Sequence, residues 1–309
     1  MKISSAIKSM RLRTLPLSTA GVVLGILLAV ADFNVGWLTA VLIVLTTVSL
    51  QILSNLSNEL GDVLHGTDTA ERVGPAYGLN SGELTVKDMK TLIVIFVLLC
   101  MLFGAAMVYV SWGTLLDIGK PAAQMDWTPT LVLLLGAGAI WAAMKYTLGR
   151  NPYGYRGLGD VYVFVFFGLV SVIGSYLVCA HTIFWRLLLP GAAVGFFSMG
   201  VLNVNNIRDA KTDAVNRVTV AIKLGEKRAK IYQTVLIVLG WACMITYCLL
   251  RWHSWWHYLF VLTLPLYVIH LTGVWKRHDK DLDPMLPLLV MSTFLFCLLA
   301  GFGFIVNLL

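Results

Sequence analysis

Two stretches of this 309-residue chain place amides and carboxylates at helical spacing where an apolar run ends. The first is Asn58-Glu59-Leu60-Gly61-Asp62, with Asp68 beyond Gly66. The second is Asn205-Asn206-Ile207-Arg208-Asp209, with Asp213. A spacing of four stacks Asn58 over Asp62, and Asn205 over Asp209 and Asp213, on one face of a helix. Asp68, past two glycines, falls in a loop. Carboxylates gathered at the edge of an apolar span repel one another and need a reason to be there. A hard divalent cation supplies one, because Mg²⁺ takes oxygen ligands and bridges carboxylates to substrate phosphates. A solvated acidic helix end is the plainer alternative; two matched stretches weigh against it.

Basic and aromatic residues accompany the acidic ones. The run Lys145 to Asp160 holds Tyr146, Tyr153 and Tyr155 among helix-breaking Gly and Pro, and Arg150 and Arg156 offer forks for anions. An interfacial anchor loop is its structural alternative. Arg208, Lys211, Arg217 and Lys223 surround the second acidic stretch and are placed to neutralise phosphate oxygens. Glu226-Lys227-Arg228-Ala229-Lys230 reads as a topogenic, lipid-facing basic cluster, and Lys276 to Asp283 as a solvated turn. The six histidines do not converge: His181, His253, His257 and His270 suit packing or interfacial roles, and His65 alone sits inside an acidic stretch. The five cysteines form no Cys-x-x-Cys pair and read as small apolar residues. There is no nucleotide-binding glycine loop and no nucleophile triad.

The elements that must position these groups are apolar. The chain is 58% hydrophobic and 13% charged, where a soluble domain carries about a quarter charged residues. This predicts an all-α polytopic membrane protein, one domain over 1–309. The apolar segments 15–31, 37–57, 91–116, 127–144, 161–185, 187–207, 231–250, 252–275 and 284–309 predict about nine transmembrane helices in one bundle. Trp37, Trp112, Trp127, Trp185, Trp252 and Trp275 fall near span ends, as an aromatic belt requires. Residues 1–14 carry Lys2, Lys8, Arg11 and Arg13 beside Ile3, Ile7 and Met10, which predicts an interfacial amphipathic helix. A cleavable signal peptide is the alternative; the eight apolar segments that follow favour an uncleaved span.

The positive-inside rule sets the orientation. With the N-terminus and the loops after spans two, four, six and eight on one side, that side holds 20 of the 23 Lys and Arg. It is therefore expected to be cytoplasmic, and it also holds 13 of the 16 acidic residues. Both acidic stretches then line one cytoplasm-facing cavity. The net charge of +7 reports topology, and no nucleic acid is expected as a partner.

Assembled, the parts are a lipid-embedded bundle, oxygen ligands for Mg²⁺, cations for a diphosphate, and aromatic faces that shelter an allylic cation. That is prenyl transfer. Asn58-Glu59-x-x-Asp62 with Asp68, and Asn206-x-x-Asp209-x-x-x-Asp213, resemble the paired Asp-rich motifs of the UbiA superfamily of intramembrane prenyltransferases. Arg72-Val73-Gly74-Pro75, the run Pro152 to Asp160, and Arg217-Val218-Thr219-Val220 extend the likeness to the 1,4-dihydroxy-2-naphthoate polyprenyltransferases of menaquinone biosynthesis. Glu59 stands where that superfamily usually has Asp, and Arg217 where Lys is common.

The resemblance implies a nine-helix enzyme of a bacterial inner membrane. It would move a polyprenyl group from polyprenyl diphosphate to 1,4-dihydroxy-2-naphthoate, losing CO₂ and diphosphate and giving demethylmenaquinone. It also implies Asp62, Asp68, Asp209, Asp213 and Glu59 as candidates for Mg²⁺. Asn58 and Asn205 would orient those ligands, Arg208, Lys211 and Arg217 would face the diphosphate, and Arg150 would be a further substrate-binding residue. Tyr146, Tyr153 and Arg156 would line the cation or the acceptor. A sister enzyme using 4-hydroxybenzoate, homogentisate or haem is the nearer alternative. A cation-coupled transporter is the distant one, disfavoured because the polar residues cluster at a boundary and not at the midplane.

Overall fold

The computed structural model describes residues 2–66, 77–116, 125–214 and 218–306. Asp68, Arg217 and the segment Arg72 to Pro75 lie outside them. Among the described residues nine helices are long and apolar enough to cross a membrane: Ile3–Asp32, Trp37–Leu64, Val86–Trp112, Thr128–Lys145, Gly159–Ala180, Trp185–Arg208, Glu226–Leu250, Trp255–Lys276 and Asp279–Ile305. They are called the first to ninth spans below.

The differences from the expected boundaries have local causes. The second span does not stop at residue 57; the helix carries Asn58, Glu59 and Asp62 with it until Gly66 turns the chain at φ 64°. The third span starts earlier than expected, at Val86, because Thr85 and Asp88 form a reciprocal capping box there. In the eighth span Trp255–Thr263 is a 3₁₀ helix and only Leu264–Lys276 is α. Pro265 has no N–H for the carbonyl four residues back, so the preceding turns tighten. The fifth span contains a π-helical stretch, Phe164–Val170.

Within the first span, the N-terminal helix Ile3–Ser9 is set off from the membrane-length helix Leu15–Asp32 by Arg11, whose φ is 50°. Its small face, Ser5, Ala6 and Ser9, is buried, while Ile3 and Ile7 point outward. Asn55 ties this corner down by donating to Met10 O and Thr14 Oγ, both at 2.9 Å.

Between spans, small residues let backbones approach, which in lipid replaces the hydrophobic drive as the source of packing energy. Gly21 and Gly25 of the first span face Ser171 and Ser175 of the fifth. A Cβ at Gly25 would lie 2.0 Å from Ser175 Oγ and 2.4 Å from Val172 O. The largest buried cluster joins Phe197, Tyr267 and Phe296 with first-span Leu24 and Leu28; a second, around Leu53, Leu56 and Met89, joins the second and third spans.

Candidate active site

The second span brings Asn58 and Asp62 to its polar end on one face, as expected. Asp62 is buried, 3% exposed, and accepts a 2.8 Å hydrogen bond from Tyr155 Oη. The fourth–fifth connection reaches the same place through Thr147, whose hydroxyl lies 2.9 Å from Ser57 O and 3.2 Å from Asn58 Oδ1. Gly61 makes this approach possible, since a Cβ there would sit 2.6 Å from Thr147 O. Glu59 behaves differently from Asp62. It is fully buried, and its Oε1 accepts the backbone N–H of Leu79 at 2.7 Å, so its carboxylate fastens the 77–84 segment.

The run from Tyr146 to Asp160 is the bridge between the two acidic motifs. On one side Tyr155 holds Asp62, and His65 joins Gly61 O and Gly149 O at 2.8 and 3.0 Å. His65 is thus a staple between the second span and this loop. On the other side Val218 N–H donates to Tyr155 O at 3.1 Å, and Arg156 forms an isolated parallel bridge with Val218. Gly157 at φ 79° permits the turn, with room for a Cβ already limited by Val218 O at 3.3 Å. A small polar cavity lies where these strands of chain meet, lined by Tyr146, Gly154, Asp160, Asn206, Val218 and Thr219 among others.

Aromatic rings line one flank of this region. Tyr153 stacks on Tyr162 at 3.8 Å between centroids and meets Tyr146 edge-on at 5.3 Å. Its hydroxyl donates to Ala142 O at 2.7 Å. Burial, with Tyr146 and Tyr162 adjacent, pushes the Tyr153 phenol well above its ordinary value, which keeps it a neutral donor. Arg150 and Arg156 are exposed at the loop surface.

The second motif does not form one unbroken helix. The sixth span ends at Arg208 and a four-residue helix, Ala210–Asp213, follows. The turn at Asp209 is slight, because Asp209 N–H still bonds Asn205 O and Asp213 N–H bonds Asp209 O, so the expected stacking largely persists. Arg208 is buried and closes its fork on both oxygens of Asp209, Nε to Oδ1 at 2.8 Å and Nη2 to Oδ2 at 2.7 Å. It also donates to Asn205 Oδ1 at 2.8 Å and to Asp283 Oδ1 at 2.6 Å. The guanidinium therefore faces its own motif. Lys211 is exposed and bonded to Asp279 at 2.5 Å, a contact that raises its pKa.

The structure thus joins Asn58 and Asp62 to the tyrosine loop, and Asn205 and Asp209 to Arg208. Among the described residues no group of three or more His, Cys, Asp or Glu side chains converges as a ready metal cluster. The donor chemistry nonetheless suits a hard cation: the candidate ligands of both motifs are carboxylate and amide oxygens, without thiol or imidazole. Three residues had no role assigned to them from the sequence. Tyr155 and Thr147 reach the first motif from the fourth–fifth connection, and Asp160, whose Oδ2 accepts from Tyr232 Oη at 2.8 Å, lines the cavity. Tyr155 and Asp160 were visible only as members of the run from Lys145 to Asp160, and Thr147 gave no signal.

Two readings of flanking segments need correction. Lys230 is not lipid-facing: it is 3% exposed, paired with Glu226 at 2.7 Å and donating to Arg277 O at 2.8 Å. The turn ending at Asp283 is not simply solvated, since Asp279 and Asp283 dock on the second motif. Both errors come from reading charge by local sequence where the partner lies a span away.

Comparison with known proteins bears on the family and the fold. The sequence profile of the UbiA prenyltransferase family matches residues 122–298, more than half of the chain. The chain belongs to the UbiA prenyltransferase family. A relative named 1,4-dihydroxy-2-naphthoate octaprenyltransferase, from Escherichia coli, is 39% identical over 299 residues, covering 96% of this chain and 94% of that one. Among solved structures, a UbiA homologue from Aeropyrum pernix superposes with a TM-score of 0.68 over all of both chains at 16% identity. A UbiA homologue from Archaeoglobus fulgidus, solved bound to GPP and Mg²⁺, gives 0.62 over 96% of this chain and 99% of that one, also at 16% identity. At such identities the superpositions speak for the fold of this family member: a multi-pass membrane bundle.

Proposed function

We propose that this UbiA-family chain transfers a polyprenyl group from a polyprenyl diphosphate to 1,4-dihydroxy-2-naphthoate. The carbon–oxygen bond to diphosphate breaks, a carbon–carbon bond to the naphthalene ring forms, and the ring carboxylate leaves as CO₂. No oxidant is needed, so the product is at the hydroquinone level, the reduced form of demethylmenaquinone. The observation that carries the reading is the nearly full-length likeness to the Escherichia coli relative of that activity. The tyrosine loop supports it by holding Asp62 at one side and Val218 at the other.

In this proposal Asp62, Asp68, Asp209 and Asp213 hold Mg²⁺ and the diphosphate, and Asn58 and Asn205 orient them. When bound, Mg²⁺ supplies electrostatic stabilisation of the diphosphate leaving group. Glu59 is a further candidate for Mg²⁺, with its Oε1 on the N–H of Leu79. Lys211, Arg217 and Arg150 neutralise diphosphate oxygens, and Arg208 acts through Asp209. Tyr146 and Tyr153 present ring faces to the allylic cation, and Arg156 takes the acceptor's carboxylate through its fork. The prenyl tail lies among the spans, in the lipid bilayer. The acidic end faces the cytoplasm of a bacterial inner membrane in this proposal, and the 20-to-3 distribution of Lys and Arg supports that orientation.

Purified protein in detergent, given a polyprenyl diphosphate and dihydroxynaphthoate with Mg²⁺, is expected to form a prenylated, decarboxylated product that vanishes with EDTA. Product only with 4-hydroxybenzoate would replace the acceptor. No product with any aromatic acceptor would overturn the reading.

A further inference from the structure

The segment from Arg277 to Asp283, which opens the ninth span ahead of its α-helix Met285–Ile305, is fastened to the second acidic motif and its neighbour at four points. Asp283 meets Arg208 at 2.6 Å, Asp279 meets Lys211 at 2.5 Å, the Arg277 carbonyl accepts from Lys230 at 2.8 Å, and His278 contacts Glu226. One of these contacts reaches the candidate chemistry. The Arg208 side chain is 4% exposed, and its single positive charge is divided between Asp209 and Asp283, with Asn205 as a third acceptor.

We propose that Asp283 is a positioning residue for the reaction, setting through Arg208 the orientation and effective charge of Asp209. This rests on the assignment of Asp209 to Mg²⁺-diphosphate above. One guanidinium shared by two carboxylates leaves the knot with a net negative charge, so Asp209 keeps its attraction for a cation. Without the Asp283 charge, Arg208 neutralises Asp209 alone. Nη1 also loses its anchor, and the fork that orients Asp209 is free to rotate. Both changes weaken cation binding. Partners one bond removed from a metal ligand commonly govern affinity in this way.

The test measures geranyl diphosphate binding to the purified protein by calorimetry across a Mg²⁺ series. In Asp283→Asn the Mg²⁺ concentration giving half-maximal affinity is expected to rise about tenfold, while turnover at saturating Mg²⁺ stays close to wild type. Asp283→Glu restores most of the lost affinity. Asp281→Asn, the same charge change in the same segment but outside the Arg208 knot, leaves the Mg²⁺ dependence unchanged. Asp283 is half exposed, so the isosteric variant should fold; Asp283→Ser carries the same test if it purifies poorly. A variant that melts lower but keeps the wild-type Mg²⁺ dependence would reduce Asp283 to a structural strap and overturn the proposal. Wild-type binding that ignores Mg²⁺ would instead remove the metal assignment itself, and this proposal with it.

Discussion

The two ends of the bundle are both built from carboxylates, cations and tyrosines, yet they are wired differently. At the end away from the acidic motifs, Asp32 closes the first span onto the seventh and fifth. Arg251 donates to both its oxygens, at 2.5 and 3.2 Å, and Tyr176 donates to Oδ2 at 2.7 Å. Arg251 also reaches Tyr247 Oη at 2.8 Å and lies over the Phe304 ring at 5.1 Å. Every partner in this clamp comes from a span or a span end, with no glycine-rich loop between them. At the acidic end the carboxylates of Asp62 and Asp209 are approached by non-α segments: the tyrosine loop on one, and the turn ahead of the α-helix Met285–Ile305 on the other, through Arg208. A network locked between spans fixes the bundle. One completed by loops can exchange a partner for a ligand.

The comparison breaks most sharply at Asp62. Asp62→Ala is expected to lower turnover by about a thousandfold or more, the scale at which groups stabilising leaving-group charge act, while the protein still folds and extracts normally. Arg251→Ala should do the reverse. It leaves Asp32 without its cation in a partly buried site, costing about 2 kcal/mol of stability, below the 3–5 kcal/mol of fully buried pairs. Turnover per folded molecule should hold. Melting in detergent together with specific activity separates the two; an Arg251 variant that melts normally but is inactive would erase the distinction between the ends.

A finer test is Tyr155→Phe, which removes only the hydroxyl on Asp62. The ring's edge contact with His65, at 5.4 Å, and the backbone bond to Val218 remain. A loss of about tenfold is expected, the lower range for partners that orient a metal ligand. It should appear in the Mg²⁺ dependence more than in melting. Full activity would mean that the loop grips Asp62 for structure alone.

These contrasts explain what was readable in the sequence. The spans and the two motifs are periodic and local, so apolar length and a spacing of four revealed them. Tyr155 was visible only as one of three tyrosines in a Gly-rich run, because what selects it is a 2.8 Å contact with a residue 93 positions away. Asp283 looked like surface charge for the same reason: Arg208, its partner, lies 75 positions back. Glu59 is the same case within one motif: its place suggested a metal ligand, and no local spacing shows that its Oε1 accepts the N–H of Leu79, 20 positions on.

The smallest expected effect lies at the N-terminal helix, beside the acidic end but built like neither network. Ser5 Oγ donates to Glu83 Oε2 at 2.6 Å, and Lys8 lies 3.6 Å from the same oxygen. The Ser5 hydrogen bond first, and then the Lys8 charge, hold the Glu83 carboxyl below its usual 4.5. A group depressed on folding lends support that is present above its unfolded value and is lost as pH falls through the folded one. The tether should therefore be intact at neutral pH and loosen only below about pH 4.5, and because the pair is exposed the change should be slight. Hydrogen exchange of the Ile3–Ser9 amides, corrected for intrinsic rates, should show modest loss of protection below that pH in wild type. In Glu83→Gln the loss should already be present at pH 7 and vary little with acid. Protection that is equal in both proteins at every pH would show that Asn55, through Met10 and Thr14, anchors this corner without help from the carboxylate.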